Sequence, residues 1–172
     1  MWVIVTYNRL VRLRLLSRNA WADIDVQLKR RYDLIPNLVE TVKGYAGHER
    51  QTFREVVEAR NRAMAARGPG QKARAEAALG ESLKSLFALA ESYPELRAAE
   101  SFRQLHDSLE KIEEAIQNAR RYYNAVVRDL NTRIEVFPDN LVARPLGFKQ
   151  AEFFRIGSGE SQAPQVQFPS GQ

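Results

Sequence analysis

The sequence predicts an all-α fold, an elongated antiparallel four-helix bundle with long first and fourth helices and a short central hairpin. Three observations carry that prediction. Ala, Leu, Glu, Arg and Gln dominate the middle of the chain, while β-branched runs are short. Apolar residues recur at steps of three and four through two stretches of about 40 residues each. Breaks rich in Gly and Pro separate two shorter helical stretches between them. At 172 residues, 44% hydrophobic and 27% charged, the chain is large enough for one core that needs no covalent staples.

The first helix is predicted over about residues 7–46. Trp21, Ile24, Leu28, Ile35, Leu38, Val42 and Tyr45 share one seam, which only Arg31 interrupts. The phase before Pro36 is the phase after it. This favours a single helix kinked at the proline, whose ring clashes with the carbonyl four residues back. The competing reading makes Asp33 an N-cap and puts Pro36 in the first turn of a new helix, where a missing N–H costs little. Gly44 and Gly47 supply the stop.

The second helix is predicted over about residues 48–67, with Phe53, Val56, Val57, Arg60 and Met64 on its inner stripe and Gly68-Pro69-Gly70 ending it. The third covers about residues 71–92, with Leu79, Leu83, Leu86, Ala90 and Tyr93 inward and Pro94 close behind. The fourth starts near Glu95. Phe102, Leu105, Leu109, Ile112, Ile116, Ala119, Tyr123, Val126 and Leu130 then alternate steps of three and four, and Ile134 and Phe137 carry the stripe to Pro138. So regular a seam implies coiled-coil-like packing at shallow crossing angles. Residues 7–138 therefore form the bundle. Residues 139–156, with Leu141, Val142, Leu146, Phe148, Phe153 and Phe154 but no period, form an extended cover docked on it. Residues 157–172, rich in Gly, Ser, Gln and Pro, form a tail expected to be disordered.

Charge is segregated along the chain. Residues 1–31 hold seven basic side chains, among them Arg9, Arg12, Arg14 and Arg18, against Asp23 and Asp25. The other 141 residues balance at 19 basic and 19 acidic. A helical domain that binds nucleic acid spreads Lys and Arg over its folded body, so this neutral body argues against that class. The opening run MWVIV is far short of the roughly 20 apolar residues that cross a bilayer, and it lacks the basic leader of a signal peptide. Followed by Tyr7 and the arginines, it nevertheless has the pattern of the cytoplasmic exit of a membrane helix, an interfacial aromatic and then a positive cluster. The plain structural alternative is a frayed helix start.

No site chemistry emerges from the residues. Cysteine is absent, which excludes disulfides, thiolate metal sites and a cysteine nucleophile. A di-iron site in a bundle needs Glu-x-x-His on two helices, but Arg103 precedes His106 by three and Tyr45 precedes His48 by three. No His pair stands at i, i+4 for zinc, and no glycine-rich phosphate loop is present. No catalytic, cofactor-binding or metal residue is assigned. Three polar features remain. Arg31 lies on the seam with Glu113 roughly facing it from an antiparallel fourth helix; Glu110, Glu113 and Glu114 form an acidic, solvated face; Tyr122, Tyr123 and Asn124 form a polar collar in which Tyr123 packs inward and its hydroxyl needs a partner.

Several stretches carry a family likeness: YNRLV from Tyr7, AWADID, QLKRRYDLIPNLVETVKGYAGHE, ESYPEL around Pro94, FRQLHDSLEKIEEAIQNARRYYNAVV, EVFP, GF at Gly147 and Phe148, and APQVQF. In these the chain resembles the bacterial LemA family along nearly its full length. The resemblance implies a helical-bundle domain attached to the inner membrane by one amino-terminal helix that ends just before the YN motif, with no established catalytic activity. Only six residues precede Tyr7 here, which reads as the remnant of an anchor in residues 1–6, a start placed too late, or a soluble member. The expected function is a non-enzymatic, membrane-associated module that binds other proteins or organises membrane components. It is expected to be single-pass with its domain in the cytoplasm, able to self-associate, and without cofactor or nucleic-acid partner. The alternative is an enzyme with a site between the long helices.

Overall fold

The computed structural model describes residues 1–156; the tail expected to be disordered, 157–172, lies outside the described residues. Among those described, 81% are helical and none forms a strand. Six helices follow in order: α1 Trp2–Lys43, α2 Arg50–Ala65, α3 Gly68–Glu91, α4 Pro94–Ala98, α5 Glu100–Glu135 and α6 Asn140–Ala143. Four of them are long.

α1 passes unbroken through Pro36, so Asp33 caps nothing. The continuous seam explains this, because Ile24, Leu28, Ile35, Leu38 and Val42 are all buried on one side of the proline or the other. α1 runs antiparallel to α5: Thr6 meets Asp139, Trp21 meets Tyr123, and Arg31 meets Glu113. α2 and α3 pack on each other as a hairpin, closed by Arg67 and by Gly68 at φ 73°, a backbone angle that glycine adopts without strain. Pro69 then sits in the first turn of α3, where its missing N–H leaves no helical bond unmade.

One apolar core joins α1, α2, α3 and α5, with Leu28, Ile35, Val56, Leu79, Leu86 and Ile116 among its fully buried members. A smaller core lies nearer the start of α1, where Leu10, Leu130, Ile134, Ala143 and Phe148 meet. No residue of the α2–α3 hairpin belongs to it. There α6 and the chain that follows supply the cover.

Several details differ from the sequence expectation; Tyr45, expected on the α1 seam, lies past the end of α1 and is exposed. On α2 the inner face is Phe53, Val56, Ala59 and Ala63, while Val57 and Met64 are exposed. Toward the end of α2, small alanines rather than the larger Val57 and Met64 line that face. The fourth helix is two helices, because Ala99 is extended at ψ 126° between α4 and α5. Leu96, buried in α4, stands six residues before Phe102, out of step with the seam. α5 ends at Glu135 and leaves Phe137 exposed, since a residue before proline is kept out of the helical region by the ring. Finally, the segment expected to be extended begins with a helical turn, α6, which buries Val142 and Ala143 and turns Leu141 out.

Ile116 is fully buried at the middle of the α5 seam. Ile116→Ala should lower stability by about 2–5 kcal/mol, through lost burial and a residual cavity. An unchanged midpoint in thermal unfolding would place the core elsewhere.

Candidate functional site

Pro36 has no N–H, so the Tyr32 carbonyl loses the donor that a regular helix provides. Arg60, from α2, fills that place: its Nε donates to the Tyr32 carbonyl at 2.7 Å. The Tyr32 side chain meanwhile reaches α3 and donates its hydroxyl to Glu76 Oε1. The other oxygen of Glu76 accepts from Arg31 Nη1 at 3.3 Å, and the same nitrogen lies 3.1 Å from Glu113 Oε2 on α5. Lys72, one turn before Glu76, donates to the Ala63 carbonyl at 3.0 Å and stands 5.7 Å from the Tyr32 ring centroid. Ala63 is in the last turn of α2, where carbonyls have no helical partner. Polar groups from all four long helices thus meet in one cluster, buried at Glu76 and Tyr32 and half-exposed at Glu113.

Glu76 is 1% exposed. Burial raises its carboxyl above the ordinary range, and that outweighs the opposite pull of the Tyr32 hydroxyl, Arg31 and Lys72. Burial likewise raises the Tyr32 phenol, with the Glu76 bond adding to the effect.

Beside the cluster an open groove of about 820 Å³ runs between α3 and α5. Leu83, Phe87 and Leu109 give it an apolar lining, with Arg31 and Glu76 at one side and His106 and Glu110 at another. His106 stacks parallel to Phe102 and edge-on to Phe87, and its Nε2 lies 3.4 Å from Glu110. Its buried Nδ1 has no hydrogen-bond partner among the described residues. Glu114 is exposed. Among the described residues no group of three or more His, Cys, Asp and Glu gathers in metal-binding geometry.

The polar collar binds the chain's own backbone. Tyr123 is buried and donates its hydroxyl to the Glu152 carbonyl at 2.7 Å, while burial, then the Glu152 charge, pushes its phenol up to about 12. Asn124 accepts from the Phe154 N–H at 2.9 Å and donates to the Phe154 carbonyl at 3.0 Å. Asn131 does the same to Ala151, at 2.8 and 2.9 Å. Phe154 is then fully buried, edge-on to Trp21. Tyr122 stays exposed.

The sequence placed Arg31 opposite Glu113 and turned Tyr123 inward, and the structure brings both about. It missed Glu76, Tyr32 and Lys72. Their signal was present, since the α3 stripe of Leu79, Leu83 and Leu86 continues backward through Glu76 and Lys72 at steps of three and four.

Fold and site together define an all-α protein in which buried polar groups tie helices to one another. The LemA family pattern matches residues 20–168, and the chain belongs to the LemA family. Among its relatives, magnetosome proteins MamQ 1 and MamQ 2 of Paramagnetospirillum magneticum are each 26% identical over 179 residues, covering 89% of this chain and 66% of their own length. Magnetosome protein MamQ of Magnetospirillum gryphiswaldense is 24% identical, covering 88% of this chain and 65% of its own. The chain thus spans just under two thirds of the length of the curated relatives it matches.

Two measurements test the cluster. Arg60→Met strands the Tyr32 carbonyl and should cost about 1–3 kcal/mol. Pro36→Ala restores a helical N–H to that carbonyl, so Arg60→Met should cost less in that background; strictly additive effects would mean that the arginine does not replace the missing donor. The second concerns pH. Because the folded protein raises the Glu76 carboxyl, folding favours its protonated form, and this contribution is greatest below the ordinary glutamate value of about 4.3 and fades as pH rises toward the folded value. Glu76→Gln removes the dependence. The wild-type melting midpoint should fall relative to that of the variant as pH rises from about 4 to 7; the reverse trend would mean that Arg31 and Lys72 outweigh burial.

Proposed function

We propose that this chain is the helical module of a membrane-associated, non-enzymatic protein that binds other proteins or organises membrane components. Its four long helices would form an antiparallel bundle over residues 7–138, with 139–156 as its cover. One observation carries the membrane reading. α1 opens with Trp2, Val3, Ile4 and Val5 exposed on a helix, and an acid-free run with Arg9, Arg12, Arg14 and Arg18 follows at once. Apolar turns leading straight into arginines match the boundary at which a membrane helix enters the cytoplasm. Residues 1–6 would be the last turns of such an anchor. Among the described residues no helix is long and apolar enough to cross a membrane.

In support of the non-enzymatic reading, Arg31 and Glu76, which line one side of the groove, are engaged with each other and, through Glu76, with Tyr32. The orientation proposed is single-pass in the inner membrane, with the helical module in the cytoplasm.

Carboxyl-terminal reporter fusions to the full-length gene product test this. A fluorescent protein that folds in the cytoplasm should be active and should fractionate with membranes, whereas a phosphatase active only after export should be silent. Phosphatase activity would overturn the orientation, and a soluble fluorescent fusion would overturn the anchor. Replacing the four arginines with glutamate should weaken or invert the orientation.

A further inference from the structure

The turn that follows α5 is built inside out. Val136, Phe137, Leu141 and Leu146 are 43%, 77%, 61% and 52% exposed, while Asp139, among them in sequence, is 6% exposed. A turn facing water does the opposite, with the carboxylate outside and the aromatic ring covered. Asp139 is held inward by the Thr6 hydroxyl, which donates to it at 3.4 Å, and by Arg133 Nη1 at 2.8 Å. The same contacts fix the turn beside the start of α1, and Tyr7 meets the Phe148 ring edge-on there. Trp2 is only four residues before Thr6, about 6 Å along the helix. The exposed apolars of α1 and those of the turn therefore lie at one end of the molecule, brought together from opposite ends of the described chain.

That end is basic. Residues 1–18 and 126–149 together carry eight basic side chains and three acidic ones, one of which is the buried Asp139. Apolar residues rimmed by cations fit a bilayer surface with anionic headgroups, where side chains such as Phe and Leu enter the acyl boundary and arginines stay among the phosphates.

We propose that the α5–α6 turn, with Phe137, Leu141 and Leu146 at its tip, is a platform that seats the helical module on anionic lipid, a second membrane contact beside the anchor. The inference rests on the membrane reading above and adds to it. An anchor alone leaves the module free to swivel. A second contact on α6, tied to α1 through Asp139, fixes its tilt and stands the α2–α3 hairpin away from the bilayer.

The 172-residue chain has no cysteine, so one introduced thiol can be labelled cleanly. Leu141→Cys and, on the hairpin, Val57→Cys would each carry an environment-sensitive fluorophore and be mixed with vesicles of phosphatidylglycerol and phosphatidylcholine or of phosphatidylcholine alone. The label at position 141 should brighten and shift to the blue on anionic vesicles, less so at high salt, and the label at position 57 should not respond. The triple variant Phe137→Ser, Leu141→Ser, Leu146→Ser should weaken binding to anionic vesicles by about tenfold or more with its melting midpoint preserved, because all three side chains are exposed. A silent label at 141, an equal response at 57, or unchanged binding by the triple variant would overturn the platform. The full-length protein separates this outcome from failure of the anchor: fractionation with membranes alongside a silent 141 label removes the platform and leaves the anchor standing.

Discussion

The carbonyl of Tyr32, deprived by Pro36 of its donor within α1, is the point on which the four long helices converge. Arg60 answers it from α2, and the Tyr32 hydroxyl engages Glu76 on α3, which in turn takes Arg31 and with it Glu113 on α5. An apolar seam with a period near 3.5 allows helices to pair in several registers displaced by a heptad, because every layer of Leu and Ile looks much like the next. A buried carboxylate does not allow it. Displaced by one heptad, Arg31 would lose both glutamates and Glu76 would lie in an apolar layer without its hydrogen-bond partners, a cost of about 1–3 kcal/mol. Buried ion pairs in general add little net stability, whereas breaking one by removing a partner is costly, so such a cluster disfavours displaced alignments more than it stabilises the native one.

From that point the molecule changes character toward the start of α1. Around Arg31 the long pair is covered by the α2–α3 hairpin, and near Trp21 the cover becomes the extended chain that buries Phe154. Near Leu10 it is α6 and Phe148. The cover thus grows thinner along the long pair, and the exposed apolar surface grows with it. Large exposed side chains crowd the end where the smallest core lies, which is the end that α1 and the α5–α6 turn share.

Much of this could be read from the sequence where periodicity governs. The seams of α1 and α5 were legible because large apolar residues repeat at the helical spacing, and Arg31 stood out as a charge in an apolar register. Glu76 and Lys72 break the α3 stripe in the same way, but they stand next to Gly68-Pro69-Gly70, where a helix start offers a simpler account of polar residues. Val57 and Met64 misled because size suggested burial, while the positions that face the core there are those of Ala59 and Ala63. The engagement of Asn124 and Asn131 was not legible beyond the collar, since their partners are main-chain groups that carry no residue signature.

Those two asparagines give α5 something that helices rarely offer, an edge on which an extended chain can lie. Each side-chain amide presents one donor and one acceptor, as a peptide group does, and meets both backbone groups of a single residue in the incoming chain. Seven helical residues rise about 10.5 Å, and three extended residues span about 10 Å. The spacing of Asn124 from Asn131 is therefore a ruler cut to the spacing of Phe154 from Ala151. Such a ruler is indifferent to which side chains it measures but intolerant of a change in length: point substitutions between the two contacts leave the grip intact, whereas one residue added or removed on either side disengages an amide and draws Phe154 out of its place against Trp21.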